Sequence, residues 1–177
     1  MAPIKSITIT SYDGGVSTVL QAHRDACDAL LTRALEERGC DPELAAAIEY
    51  AVLAPGKRLR PALVRLANQC IGGDLQDAEA PAAAVEMIHA FSLVHDDLPA
   101  LDNDDLRRGR PTLHRHTDEA TAILAGDAMP MLAMKLLAHT PSGPAMCNVL
   151  AEATLRMIEG QMMDMAAERE ALAIDEQ

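Results

Sequence analysis

The sequence predicts an all-α protein, and two features of its composition carry that prediction. Aromatic residues, which favour β-sheets, make up only 2% of the 177 residues. Alanine, leucine and methionine, which favour helices, are abundant instead. The length is that of one domain or a large piece of one. The hydrophobic share of 49% and the charged share of 24% exclude wholesale disorder.

Capping and breaking residues predict six helices, over about 17–38, 42–53, 59–70, 80–98, 118–138 and 145–170. Ser17 provides an N-cap for the first helix, and Gly39 lies where a glycine commonly follows a helix. Asp41 caps the second helix, with Pro42 in its first turn. Residues 1–16 alternate isoleucine with serine and threonine before a glycine pair, and they predict a flexible N-terminal arm ahead of the domain.

Proline, glycine and aspartate set the later boundaries. Pro99 ends the fourth helix because its ring clashes with the carbonyl four residues earlier. Residues 99–112 then form a charged loop, and Asp118 caps the fifth helix. Gly126 and Pro130 predict irregularities within that fifth helix.

Charge and cysteine usage narrow the function class. With 15 basic and 27 acidic residues, the net charge of −12 lacks the basic footprint of a nucleic-acid-binding protein. Neither a secretory signal nor a membrane span is expected from the apolar pattern. The cysteines are few and form no CxxC pair, which predicts reduced thiols in a cytoplasmic protein rather than a disulfide scaffold; they are Cys27, Cys40, Cys70 and Cys147.

The segment from His95 to Arg110, HDDLPALDNDDLRRGR, holds five aspartates and three arginines. Carboxylate oxygens suit Mg²⁺, which prefers one or two carboxylates together with water and substrate phosphate. Asp96 and Asp102 would lie about 120° apart on an unbroken helix. Because Pro99 interrupts the helix, a short loop is expected to bring Asp102 back toward Asp96. A solvated acidic loop with arginine counter-charges is the alternative.

Two further groups of polar residues are positioned to act with this segment. On the fourth helix, His89 and Ser92 lie seven and four residues before Asp96, so the three side chains are expected in one column. Lys57 and Arg60 share a face at the start of the third helix, where an anion is also favoured. Taken singly, a core histidine and an exposed basic turn remain the alternatives.

Together these segments resemble one family. The chain carries GKRLRPAL at 56–63, EMIHAFSLVHDDLPALDNDDLRRGRPTLH at 86–114, EATAILAGDA at 119–128 and GQMMDM at 160–165. In this order they closely resemble the trans-isoprenyl diphosphate synthases, or polyprenyl synthetase family, of the bacterial farnesyl and geranylgeranyl diphosphate synthase type. The resemblance spans about 17–166.

The resemblance implies a helical bundle around a central cavity, assembled as a homodimer. It also implies a Mg²⁺-dependent prenyltransferase that condenses isopentenyl diphosphate head-to-tail with an allylic diphosphate to give a short-chain product. The metal stabilises the charge on the departing diphosphate. The apolar interior excludes water that would quench the allylic cation.

Carried over by motif, the resemblance assigns a role to each matching residue. The metal ligands are Asp96 and Asp102, with Asp97 beside them as a catalytic residue; Arg107 binds the allylic diphosphate; Arg108, Lys57, Arg60 and His89 bind isopentenyl diphosphate; Phe91 and Ser92 limit chain length; and Gln161 and Asp164 line the cavity. Phe91 lies about 140° around the helix from Asp96. It is therefore alternatively an ordinary core residue, and Gln161 and Asp164 are alternatively polar positions on a methionine-lined helix.

The chain departs from the family pattern in two places. Thr117 stands where an aromatic residue is frequent. No second aspartate-rich motif follows Gln161, so residues 17–177 are expected to be the N-terminal part of the domain and incomplete for turnover. A non-catalytic or regulatory subunit on the same fold is the alternative function. A terpene cyclase is disfavoured because it binds no second diphosphate.

Overall fold

The computed structural model describes the backbone of residues 16–36 and 41–175 and the side chains of 21–36 and 41–169. In these ranges the helices are α1 (Val16–Glu36), α2 (Pro42–Val52), α3 (Leu59–Cys70), α4 (Glu79–Asp96), α5 (Leu113–His116), α6 (Glu119–Ala138) and α7 (Gly143–Asp175), with a 3₁₀ helix over Leu75–Ala78. Strands β1 (Leu106–Arg107) and β2 (Arg110–Pro111) form one antiparallel ribbon. The all-α prediction is confirmed.

The predicted helix starts agree best with the structure where an aspartate caps the helix. The Asp41 carboxylate accepts hydrogen bonds from the backbone N–H groups of Glu43 at 2.9 Å and Leu44 at 3.4 Å, at the start of α2. The Asp118 carboxylate accepts one from the N–H of Thr121 at 2.9 Å, at the start of α6. Each cap satisfies N–H groups that have no partner inside the helix.

Other boundaries differ from prediction. α1 begins at Val16, so Ser17 lies inside the helix instead of capping it. α7 begins at Gly143, slightly ahead of the predicted start. The segment 99–112, predicted as a loop, contains β1 and β2. Gly39 and the arm predicted for 1–16, apart from Val16, lie outside the described residues.

The central helix of the bundle is α4. It packs on α1, α2 and α3, and most extensively on α6. The buried alanines Ala90, Ala122 and Ala125 allow the α4 and α6 backbones to approach closely, while Met87 and Met129 are fully buried. Because its neighbours surround it, α4 holds the acidic segment at its C-terminal end in a fixed position.

α6 runs unbroken through Gly126 and Pro130, so the predicted irregularities do not interrupt it. Pro130 has no N–H to donate to the Gly126 carbonyl, which costs one helical hydrogen bond. By length and composition alone α6 is apolar enough to cross a membrane, a test that core helices also pass. Here one face of α6 packs on α4, and the absence of a membrane span stays a prediction.

Gly126→Ala is expected to lower the free energy of unfolding by about 1–3 kcal/mol, as overpacking does in closely packed cores. A Cβ at this position would overlap Nε2 and Cδ2 of the His95 ring on α4. Gly160→Ala is the matched control, since a Cβ there has no atom within 4 Å and alanine favours the helix by about 0.5–1 kcal/mol. Urea unfolding measures both; equal effects of the two substitutions would contradict the packing account.

Candidate active site

The chain folds back on itself immediately after α4. The Asp102 N–H donates to the Asp96 carbonyl at 2.8 Å, and the N–H groups of Leu101 and Asn103 donate to the Leu98 carbonyl at 2.9 and 3.1 Å. Asn103 adopts a left-handed conformation, with φ of 53°, which asparagine tolerates well. The predicted return of Asp102 toward Asp96 is therefore present in the backbone.

Asp96 and Asp102 form a carboxylate pair. Burial raises the pKa of the Asp96 carboxyl, and the charge of Asp102 raises it further, while Arg107 opposes the shift. A cation between the two carboxylates would relieve this repulsion. Within the described ranges no cluster of three or more His, Cys, Asp or Glu side chains is arranged to hold a metal. A pair of carboxylates still fits Mg²⁺, which takes its remaining ligands from water and phosphate.

Asp97 has a different environment from its two neighbours in the motif. It is only 3% exposed, and Arg107 donates from Nε to its Oδ1 at 2.6 Å. Arg107 also lies 3.5 Å from the Asp104 carboxylate. Burial raises the pKa of Asp97, and the hydrogen bond from Arg107 opposes that rise. Asp97, predicted as a catalytic residue, thus lies where it positions the Arg107 guanidinium.

Arg108 and Gly109 form the two-residue turn between β1 and β2. Their φ values of 54° and 78° are both positive, as a type I′ hairpin turn requires. From this turn, Nη1 of Arg108 donates to the Pro55 carbonyl at 2.6 Å, in the loop before α3. A Cβ at Gly56 would lie 2.5 Å from the same Nη1, so a larger residue there would displace the Arg108 guanidinium. The hairpin therefore fixes where Arg108 is presented.

The predicted ligands of isopentenyl diphosphate meet around one open cavity of about 560 Å³. They are Lys57, Arg60, His89 and Arg108. Arg24 of α1 also lines this cavity and was missed, because no motif surrounds it in the sequence. Burial lowers the pKa of His89, and the positive charge of Arg60 lowers it further. The cavity thus combines fixed positive charges with a histidine that favours its neutral form.

Arg58 lies among these residues but serves the framework. It is 6% exposed and adopts a left-handed conformation at the start of α3, with φ of 48°. Its guanidinium donates to Asp28 at 2.7 Å, to Glu86 at 2.8 Å and to the Ala54 carbonyl at 3.0 Å. These bonds tie α1, α3 and α4 together behind Lys57. The sequence gives no signal that distinguishes Arg58 from the basic residues beside it.

A second cavity, of about 310 Å³, lies between α4 and α7. Its lining includes Phe91, Ser92, His95, Asp96, Leu101, Met157, Ile158, Gln161, Met162 and Met165. Phe91 therefore lies beside Asp96 at this cavity, and it also packs against the core and meets His95 edge to face at 4.9 Å. Gln161 lines the cavity as predicted, whereas Asp164 is exposed and is not among the lining residues.

The two cavities lie on different sides of the C-terminal half of α4. His89 lines the basic cavity, while Ser92 and Asp96 line the apolar one. The single column predicted for these three side chains is thus divided between two sites. A ligand with a charged head and a ligand with a hydrocarbon tail could be held on either side of the same helix.

Comparison with known proteins shows that the chain matches one protein family. The family model described as polyprenyl synthetase matches residues 41–177. The farnesyl diphosphate synthase of Haemophilus influenzae is 45% identical over 137 residues, which cover 73% of this chain and 46% of that protein. The chloroplastic geranylgeranyl pyrophosphate synthase 9 of Arabidopsis thaliana is 46% identical over 132 residues, 70% of this chain and 37% of that one. The chain spans less than half the length of these relatives.

Solved structures with sequences similar to this chain share its fold. A geranyltransferase from Legionella pneumophila is similar with a TM-score of 0.81 and 40% identity, covering 84% of this chain and 55% of that one. A geranyltranstransferase from Thermotoga maritima is similar with a TM-score of 0.79 and 32% identity, covering 85% of this chain and 56% of that one.

Proposed function

Because the chain belongs to the polyprenyl synthetase family, we propose that the protein of which it forms at least a part condenses isopentenyl diphosphate with an allylic diphosphate. The observation that carries the proposal is the pair of cavities on either side of α4, with Asp96 and Asp102 at the turn that follows the helix. The product is a short-chain isoprenyl diphosphate, farnesyl or geranylgeranyl.

The basic cavity suits the diphosphate of isopentenyl diphosphate. Arg60 and Arg108 supply guanidinium groups that pair with phosphate oxygens, and Lys57 supplies a point charge. His89 is favoured in its neutral form, so it can donate one hydrogen bond without adding a full charge. This local concentration of donors supports the binding of a strongly anionic ligand by a chain whose net charge is −12.

The apolar cavity suits the hydrocarbon chain of the allylic diphosphate. Met157, Ile158 and Met162 give it an adaptable apolar wall, and Asp96 lies at the same cavity. The allylic diphosphate would then lie with its tail against α7 and its diphosphate near Asp96, Asp102 and Arg107. Mg²⁺ held by the two carboxylates would neutralise the leaving diphosphate.

In this arrangement the chain's residues orient the two substrates. The allylic carbon–oxygen bond breaks, and its electron pair leaves with the diphosphate. The double bond of isopentenyl diphosphate attacks the allylic carbon, and the adduct then loses a proton to the released diphosphate. Arg107, held by Asp97, orients the leaving group and stabilises its developing charge.

The proposal extends to the turnover, assembly and location of the longer protein. Since the chain spans less than half of the curated relatives, turnover is proposed for a longer protein, and residues 1–177 alone are expected to be incomplete for it. Exposed apolar side chains on α6 and α7, including Leu124, Met131 and Met163, support a homodimer or contact with a further chain. A cytoplasmic location also stays a proposal.

Isothermal titration calorimetry with isopentenyl diphosphate tests the function on the 177-residue chain. Lys57→Gln and Arg60→Gln should each weaken binding by about tenfold or more, as expected for a lost charge-assisted contact. Lys135→Gln, which removes the same charge from the exposed surface of α6, is the control. Equal affinities for all four proteins, or no binding by the unsubstituted chain, would contradict the proposal.

Phe91→Ala is expected to lengthen the main product in an active longer protein. The ring occupies the wall of the α4–α7 cavity, and removing it leaves room for a longer hydrocarbon chain. Val94→Ala is the control, because Val94 is buried on the same helix and is not among the lining residues of that cavity. Chromatography of the dephosphorylated products gives the chain length; an unchanged distribution with an intact fold would make Phe91 an ordinary core residue.

A further inference from the structure

Tyr50, near the end of α2, makes three contacts with the segment that follows β1. Its hydroxyl donates to the Pro111 carbonyl at 2.8 Å. Its ring stacks on the His116 ring, with centroids 3.9 Å apart and an angle of 10° between the planes. The Arg110 guanidinium carbon lies 4.2 Å from the centre of the same ring. A hydrogen bond, a stacked pair and a cation–π contact thus converge on one side chain.

The segment that Tyr50 holds is not stable by itself. β1 and β2 contribute two residues each, and an isolated two-stranded ribbon is marginal in water. Its turn also holds Arg108, a residue with a side chain, at a positive φ of 54°, which costs free energy unless surrounding contacts enforce it. External contacts must therefore hold this ribbon in place.

The contacts fall into two groups. On the α4 side, Asp97 at the end of the helix binds Arg107 of β1. On the α2 side, Tyr50 binds β2, and five residues later the Pro55 carbonyl accepts from Arg108 at 2.6 Å. The α2 segment therefore grips the ribbon at β2 and at its turn, and the second of these points lies at the edge of the basic cavity.

We propose that Tyr50 is a positioning residue that holds Arg108 at the diphosphate-binding cavity through the β1–β2 ribbon. This role rests on the proposed function, since it assumes that the basic cavity binds a diphosphate. Tyr50 does not line that cavity; it lines a neighbouring pocket that shares Arg108 with it, and its effect on the ligand is assigned to Arg108. The orientation of the Arg108 guanidinium depends on the conformation of the turn. That conformation depends on the contacts that Tyr50 makes with β2.

Hydrogen exchange tests the positioning without any ligand. In Tyr50→Ala, the backbone amides of residues 106–110 and 112 should exchange faster than in the unsubstituted chain, because the ribbon opens locally. Ile48→Val is the control: Ile48 is fully buried on α2, and its shortening lowers stability without touching the ribbon. Unchanged exchange at these amides, or an increase spread evenly over the chain, would overturn the proposal.

Calorimetry with isopentenyl diphosphate then tests the consequence. Tyr50→Ala should weaken binding about tenfold and Tyr50→Phe about threefold, the second losing the hydroxyl bond but keeping the stack. In an Arg108→Ala background, Tyr50→Ala should weaken binding no further, since its effect passes through Arg108. An equal loss in both backgrounds would overturn the positioning role. Absence of binding by the unsubstituted chain would instead contradict the proposed function, and hydrogen exchange would still decide the role of Tyr50.

Discussion

Arg58→Ala is expected to lower the free energy of unfolding by about 3–5 kcal/mol, the usual cost of removing one partner from a buried ion pair. Arg58 and Glu86 are each 5% exposed at their side chains and lie 2.8 Å apart. Without the guanidinium, the Glu86 carboxylate stays buried without a counter-charge, and Asp28 and the Ala54 carbonyl lose their donor. Such a loss approaches the whole stability of a small domain.

Arg33→Ala provides the matched control for this substitution. Arg33 pairs with Glu79 at 3.2 Å, but the arginine side chain is 61% exposed, and surface pairs contribute only about 0–1 kcal/mol. Urea unfolding gives both free energies. The buried Cys27 offers a second readout, because burial and then the charge of Glu86 raise the pKa of its thiol to about 12. The peptide that contains Cys27 should react with a thiol reagent only when the bundle opens. If Arg58→Ala lowers the free energy of unfolding no more than Arg33→Ala does, the buried-pair account is refuted.

The helices could be predicted from sequence wherever a local signal specifies the boundary. Asp41 and Asp118 cap α2 and α6 because an aspartate side chain reaches the N–H groups two or three residues ahead. Pro99 follows α4 because it cannot continue a helix. These effects act within one turn of the chain, so a single sequence contains all the information that they need.

The β1–β2 ribbon was missed because its stabilising contacts come from distant segments. Tyr50 and Pro55 bind it from α2 and the loop beyond, more than 50 residues earlier in the chain. Arg108 in a positive-φ turn also contradicts the ordinary preference of arginine. Local propensity cannot predict a turn that tertiary contacts enforce.

The candidate site could be predicted as a set of residues but not as an arrangement. Lys57, Arg60, His89 and Arg108 meet at one cavity, yet helical spacing alone placed His89 in a column with Asp96. The spacing gives angles around α4 and does not say which neighbour packs on each side. The division into two cavities arises because α7 covers the Ser92 and Asp96 side of the helix, while the GKRLR segment covers the His89 side.

Asp96→Asn and Asp102→Asn are each expected to weaken Mg²⁺-dependent binding of inorganic pyrophosphate by more than about a hundredfold, since a metal ion supplies several kcal/mol of charge stabilisation. The effect should vanish when EDTA removes the metal, because pyrophosphate then binds only the basic groups. In an active longer protein the same substitutions should abolish turnover. Helicity by circular dichroism should not change, since Asp102 is exposed and Asp96 lies at the last turn of α4.

Asp105→Asn removes the same negative charge as Asp96→Asn but leaves the carboxylates of Asp96 and Asp102 in place. Asp105 belongs to the same acidic segment, but its side chain is 68% exposed and pairs with Arg115 at 2.5 Å. If pyrophosphate affinity in Mg²⁺ depended only on the total charge of the loop, Asp105→Asn would alter it as much as Asp96→Asn does. If the turn after α4 holds the metal, only the residues joined by the Asp102 to Asp96 backbone bond should matter. Equal affinities in Asp96→Asn and Asp105→Asn would therefore rule out a metal site at this turn, whereas a loss confined to Asp96→Asn and Asp102→Asn would assign the ion to that pair.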